Sequence, residues 1–468
     1  MNNLSKLHMT ILQAAWLIAA LAAGITLTGC GYSNTAVSSA PVTVSGGSIQ
    51  GNALGGQQPI ANATVQLWAA GNSGYGSAST PLITGISATT SNGSGSGGNA
   101  SNANNSLKAG YFSISGDFTC PTPSTTPVYL TITGGNPVGT ATNANLGLMA
   151  ALGPCNGISS STFVNVNEIS TVASVWALSP FMSAYDHVGT STTNALGLAN
   201  AFASVNKLVN VSTGLPSGPM LPAGATLPVQ EIYALGNILA SCVNSTGGVA
   251  SDTSTNCGKL FSYTAVGTTP GNTIDAAMHM AQYPTNNIAG LFALVSATGA
   301  AYATTATQPT SWTIAINYTG GGLNHPEGIA VDAGGNIWVP NAGTSQATSN
   351  VTLLYPTGAT QAGGNGIQSA HINQPSAVAL DAGGHAWITN NGDSSIAEIG
   401  AGGSSISSYS GNGLSSPSGL AFDPSGNIWV SNGGTNSVSA FTSSGSAVGT
   451  YSNIGSITTP VGIVANPQ

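Results

Sequence analysis

The sequence predicts a multidomain, mainly β chain: a β-sandwich, then a small helical domain, then a partial β-propeller of about three blades plus fragments. Three observations carry this reading. Residues 326–339, 375–388 and 417–430 are copies of one another, and their aspartates Asp332, Asp381 and Asp423 stand 49 and 42 residues apart. That period suits a unit of four short strands repeated as an array. Upstream, 143–303 carries Ala, Leu and Val at spacings of three and four, whereas 45–136 alternates apolar with polar residues.

At the N-terminus, a short start with Lys6 leads into the apolar run 9–25 and then Leu27-Thr28-Gly29-Cys30. Residues 1–29 resemble a bacterial lipoprotein signal peptide ending in a lipobox. Small residues running straight into a cysteine argue for cleavage rather than for a membrane span. The resemblance implies that Cys30 becomes the mature N-terminus and carries several acyl chains of the palmitate kind. Several chains on one residue anchor stably where one is marginal. Gly31 in place of Asp implies transport onward to an outer membrane, with 30–44 as the lipidated tether. The expected location is therefore the bacterial cell envelope.

In the region 45–136, the segments 48–51, 59–67, 88–90, 110–114 and 128–132 read as successive strands and turns, with alternation clearest in 63–67 and 128–132. Their order resembles the carboxypeptidase regulatory-like (transthyretin-like) β-sandwich, through Pro59-Ile60-Ala61-Asn62-Ala63-Thr64-Val65-Gln66-Leu67 and Gly110-Tyr111-Phe112. The resemblance implies a spacer without catalytic residues. The polar insert 91–106 departs from it and reads as a loop.

Between 143 and 303, helices are expected at 167–178, 194–209, 229–243, 273–282 and 287–298, several after Asn or Thr caps and with Glu168 and Asp275 in first turns. Asp186, His187, Glu231 and His279 are the other candidate ionisable residues there. Asp275 and His279, at i and i+4, could share a helix face, a spacing that usually means a capping or surface contact. Cys120, Cys155, Cys242 and Cys257 form an even set once Cys30 is acylated, as expected in an oxidising compartment. Cys242 and Cys257 are expected to pair across a Ser/Thr/Gly/Asn loop, which leaves Cys120 and Cys155 as the second bridge.

In the C-terminal region 311–468, each copy opens with Pro and an apolar run, then Asp-x-x-Gly, then a strand with one tryptophan (Trp338, Trp387, Trp429), then Asn-x-Gly. Asp, Gly and Asn supply turn chemistry, so Asp332, Asp381 and Asp423 read as turn caps rather than metal ligands. The pattern resembles NHL-repeat β-propellers and, more distantly, virginiamycin B lyase-like propellers, over about a third of the chain. Antiparallel order puts His325, Glu327 and His371 on one face with Asn341, Asn390, Asn391, Asp393 and Asn432, and the Asp-x-x-Gly turns on the other. A polar ligand is expected on the His/Asn side, although Asn in Asn-x-Gly commonly does no more than shape a turn. His385, standing where the sister copies have Asn, reads as a solvent-facing strand residue. The segment 311–318 reads as an outer strand. A fourth copy begins at Pro460, and truncation, closure by another chain or an open arc capped upstream would each account for the short array; truncation is favoured.

Charged residues make up 3% of the chain, with no arginine and 4 lysines against 12 carboxylates, where about 25% is ordinary. Nucleic-acid binding, which needs clustered Lys and Arg, is excluded. No nucleophile elbow, phosphate loop or His-Glu-x-x-His is present. The expectation is a non-catalytic, lipid-anchored envelope protein whose propeller binds a carbohydrate, peptide or protein partner, with no metal or other cofactor. The alternatives are a metal-assisted lyase or lactone hydrolase of the virginiamycin B lyase-like or gluconolactonase-like propeller type, the one case that brings in a divalent metal, and a truncated protein without intact function.

Overall fold

The computed structural model describes residues 47–56, 58–84, 88–93, 108–137, 141–296, 301–452 and 455–465. The signal peptide, Cys30, the tether and most of the 91–106 insert lie outside the described residues. No helix among the described residues is long and apolar enough to cross a membrane.

Two sheets form the first region. In one, β1 (Ser48–Gly55) pairs antiparallel with β3 (Tyr111–Ser115) and parallel with β6 (Thr162–Val166). In the other, β2 (Thr64–Ala69), β4 (Pro127–Thr133) and β5 (Gly147–Pro154) run antiparallel in that order. Ile49, Phe112, Ile114 and Val164 from the first sheet share a core with Val65, Leu67, Leu130 and Leu148 from the second. The alternation read in 63–67 is this inward face. The sheets also take in β5 and β6, beyond the expected limit at 136.

Among the described residues six α-helices follow: α1 (Glu168–Leu178), α2 (Ala195–Leu208), α3 (Val229–Val243), α4 (Asn256–Thr264), α5 (Thr273–Gln282) and α6 (Ile288–Phe292). The side chain of Asn167 caps α1, that of Thr255 caps α4 and that of Asn272 caps α5, each accepting a first-turn backbone N–H. These helices do not stand apart from the sheets, because their core includes Ala70, Tyr129, Met149 and Ala151 from the outer face of the second sheet. The unpaired edge of β5, which is buried, is closed by hydroxyls. Gly147 N donates to Thr273 Oγ1, Met149 N to Thr171 Oγ1 and Ala151 N to Ser174 Oγ, each at 2.9 Å. A chain poor in charge thus protects a sheet edge with buried Ser and Thr rather than with lysine. Disulfides join Cys120 to Cys155, with Cα atoms 5.7 Å apart, and Cys242 to Cys257, at 4.4 Å.

The segment 311–318 does not become an outer blade strand. Trp312 is buried in the helical core, stacked on Phe292, and its carbonyl accepts the Trp176 indole N–H at 2.7 Å. Only Asn317–Tyr318 is extended, paired with Ala225–Thr226. A buried tryptophan gains more from that apolar surface than an edge strand gains from one row of hydrogen bonds.

The repeats fold as three consecutive antiparallel sheets. The first holds β7 (Ala330–Val331), β8 (Ile337–Asn341) and β9 (Asn350–Leu354); single bridges from Val351 to Ile367 and from Leu354 to Thr360 stand where a fourth strand would run. The second holds β10 (Pro375–Leu380), β11 (Ala386–Asn390), β12 (Ser395–Ile399) and β13 (Ile406–Ser410). The third holds β14 (Pro417–Phe422), β15 (Ile428–Asn432), β16 (Ser437–Phe441) and β17 (Ala447–Ser452). Each sheet packs on the next: Trp338 and Leu353 of the first join Ile388 and Ile399 of the second, and Trp387 and Ile396 join Val430 and Phe441 of the third. On the inner strands Ser376 Oγ donates to Pro417 O at 2.8 Å, and Ser418 Oγ donates to Pro460 O at 2.6 Å. The fourth copy therefore begins docked as its predecessors are.

Candidate functional site

The two faces of the blades use their polar residues differently. On one face, each turn aspartate closes the same four-bond latch. Asp332 Oδ1 accepts from the N–H groups of Gly334 and Asn336, and its Oδ2 accepts from the Asn336 amide and the Trp338 indole at 2.9 and 3.2 Å. Asp423 repeats this with Ser425, Asn427 and Trp429. Burial pushes the Asp332 carboxyl up, but the donors outweigh it and hold the group below the usual range. The Trp429 indole and Asn427 amide hold Asp423 at about 2. All four acceptor directions of the carboxylate are occupied, so these residues fasten the tryptophan strand to the turn.

On the opposite face the three asparagines are consumed as well. Asn341, Asn390 and Asn432 are fully buried. Each accepts from the backbone N–H seventeen residues earlier (Asn324, Asn373 and Ser415) at 3.1–3.2 Å and donates into its own blade: Asn341 to Asn350 and Thr352, Asn390 to Ser395, Asn432 to Ser437 and Ser439. They latch the incoming loop and offer nothing to a ligand. His325, Glu327, His371, Asn391 and Asp393 are exposed. His325 occupies the residue before the blade proline, with φ of 53°, where Gln374, Ser416 and Thr459 adopt the same left-handed backbone. Asp393 accepts from Ser395 Oγ at 2.6 Å.

Beside His371, two loops of this face meet. The loop between β8 and β9 brings Gln346, Ala347 and Ser349 against Gln368, Ser369 and Ala370 of the loop entering the second blade, and they line a cleft of about 480 Å³. Gln346 Nε2 donates to Ala370 O at 3.0 Å, and Gln374 N donates to Ser349 Oγ at 2.9 Å. The lining is amide, hydroxyl and methyl, without a charged group. None of these six residues was singled out from the sequence. Their signal was a Gln/Ser/Ala-rich stretch following Asn-x-Gly, on the face already expected to bind.

The middle blade departs from its sisters. His385 Nδ1 replaces the asparagine amide at Asp381 Oδ2, at 3.0 Å, while Trp387 Nε1 keeps its bond to the same oxygen at 3.2 Å. His385 Nδ1 also lies 3.4 Å from Glu398 Oε1, and Tyr409 Oη donates to Glu398 Oε2 at 2.8 Å. Burial pushes the Asp381 carboxyl up, but donation from the His385 backbone, the Trp387 indole and the His385 ring holds it low. His385 is thus not the solvent-facing strand residue expected: it stands in the turn just before β11, partly exposed and bonded to Asp381. Glu398 went unremarked in the sequence because only strand pairing brings it here.

Among the helices, Asp275, His279 and Glu168 are bonded into the fold. Asp275 accepts from Tyr185 N at 2.8 Å and from the Asn272 amide at 2.7 Å. His279 Nδ1 lies 2.9 Å from Thr264 O. No hydrogen bond joins Asp275 to His279. Glu168, fully buried, accepts from Gly56 N and from Tyr302 Oη.

No family model matches the chain, and no curated protein does. Among solved structures it is similar to virginiamycin B lyase from Staphylococcus aureus, at 21% identity over 30% of this chain and 45% of that one, with a TM-score of 0.26. A nidogen/laminin complex matches at 18% identity over 31% and 52%, also at 0.26. A protein of unknown function from Bacteroides caccae matches at 16% over 30% and 49%, at 0.23. The chain spans about half the length of each. Likenesses at these scores carry no argument, so the propeller assignment rests on the repeated sheets, their latches and the blade-to-blade packing.

Proposed function

We propose that this chain is a non-catalytic, lipid-anchored protein of the bacterial envelope that binds a neutral polysaccharide through its propeller. The observation that carries the reading is the cleft between Gln346–Ser349 and Gln368–Ala370, lined by amides and hydroxyls and free of charge. Sugars are recognised by such groups, and a chain with 3% charged residues keeps electrostatics out of the selection. His371, exposed and next in the chain to the lining residue Ala370, offers a polar ring close by in sequence. The lipobox ending at Cys30 supports the anchor, and the sandwich would serve as the spacer.

The test is affinity electrophoresis of the full chain through gels containing neutral polysaccharides. Retardation that is lost in a Gln346→Ala/Gln368→Ala double variant supports the reading. Retardation that survives the double variant, or that acidic polymers alone produce, overturns it. Intact mass spectrometry of the membrane fraction tests the anchor, which requires an acylated Cys30 at the mature N-terminus.

A further inference from the structure

Two substitutions set the middle blade apart, and they meet. Four residues after the turn aspartate stand Asn336, His385 and Asn427. Opposite the blade tryptophan on the third strand stand Leu353, Glu398 and Ala440. The first change needs no special explanation, since imidazole Nδ1 takes over the amide's bond to aspartate. The second is not required by the turn. It replaces an apolar residue with a carboxylate and aims it at the same ring nitrogen that Asp381 already faces.

The three ligand atoms lie within 4.8 Å of one another, and among the described residues no other group of three or more His, Cys, Asp or Glu does so. A metal bound at about 2.0–2.2 Å holds neighbouring ligand atoms about 2.8–3.6 Å apart in octahedral or tetrahedral geometry. The two separations at His385 Nδ1, 3.0 Å to Asp381 and 3.4 Å to Glu398, fall in that range. The side chains of His385, Asp381 and Glu398 are 42%, 16% and 21% exposed, so an ion can enter and keep water in its open positions. Both carboxylates are oriented by a further donor, Asp381 by the Trp387 indole on the same oxygen that faces His385 and Glu398 by the Tyr409 hydroxyl on its far oxygen.

We propose that Asp381, His385 and Glu398 bind one divalent cation of the zinc class. One imidazole nitrogen with two carboxylate oxygens suits such a borderline-soft ion, whereas calcium and magnesium favour oxygen alone. The ion takes the place of the proton between His385 Nδ1 and Asp381 Oδ2, which opens one acceptor direction on that oxygen, and it ties the turn between β10 and β11 to β12. It sits on the face opposite the cleft.

The experiment is calorimetric titration of the full chain, without a histidine tag, with zinc chloride alone. One equivalent is expected to bind, with affinity reduced about tenfold or more in His385→Asn and in Glu398→Ala. Both variants install the residue of a sister blade, so the turn latch survives, and thermal unfolding confirms that the blade is intact. His187→Ala, which breaks the contact between His187 and Asp186, should leave binding unchanged. Absence of zinc binding by the native chain, native affinity in His385→Asn and Glu398→Ala, or loss of binding in His187→Ala would each overturn the proposal.

Discussion

Replacing Glu168 with glutamine should remove most of a stability loss that the native chain suffers between pH 4.5 and 7. The Glu168 carboxylate is fully buried at the first turn of α1, where Gly56 N donates at 3.0 and 2.8 Å and Tyr302 Oη at 2.7 Å. Burial pushes its carboxyl up to about 7 from an ordinary 4.5, against the pull of those donors. Below 4.5 the group is protonated in both folded and unfolded chains. Between 4.5 and 7 the folded chain holds a proton that the unfolded chain has released, so stability falls as pH rises. Above 7 both are ionised and the loss is constant. At 1.36 kcal/mol per pH unit, the interval amounts to about 3 kcal/mol. Glutamine keeps the shape: its carbonyl accepts from Gly56, and its amide donates to the Tyr302 oxygen. Urea unfolding from pH 4 to 8, taken as native minus variant, should show a difference that grows by about 3 kcal/mol across the window in favour of Gln. A flat difference would refute the reasoning, because burial would then not be destabilising the anion.

Three further outcomes are expected. Trp338→Ala, which empties a fully buried site between the first two blades, should cost about 3–5 kcal/mol in thermal or urea unfolding; a cost below about 1 kcal/mol would place the tryptophan outside the core. Thr171→Val should cost about 1–3 kcal/mol, because Met149 N–H loses its acceptor at a buried sheet edge, and amide exchange should quicken along β5 first. In acid titration, the turn carboxylates lie low, Asp423 at about 2, so their contribution is present above the ordinary 3.8 and disappears as pH falls towards 2. Tryptophan emission should therefore hold to about pH 3 and change below it, and a midpoint at 4 or above would contradict the latch.

The repeat was legible because a latch fixes spacing. The aspartate must stand four residues before its side-chain donor and six before its tryptophan, as at Asp332, Asn336 and Trp338. Glu398 was not legible, since it reaches His385 across a strand pair and gives no local pattern. The cleft belongs to the same class, made by two loops about twenty residues apart. β5 escaped because Leu148-Met149-Ala150-Ala151 is covered on both faces, and an unbroken apolar run reads equally as helix. α4 escaped because Gly258, Ser262 and Thr264 dilute its periodicity, while its cap at Thr255 looked like loop. The asparagines of Asn-x-Gly are buried latches, and sequence does not tell a latch that is buried from a side chain that is offered.

The most direct test of the binding face is hydrogen exchange on the full chain, with and without a polysaccharide that retards it. Slowed exchange confined to 342–349 and 368–374 is the predicted result. Slowed exchange at the turns 332–335, 381–384 and 423–426, with those loops unchanged, would contradict it.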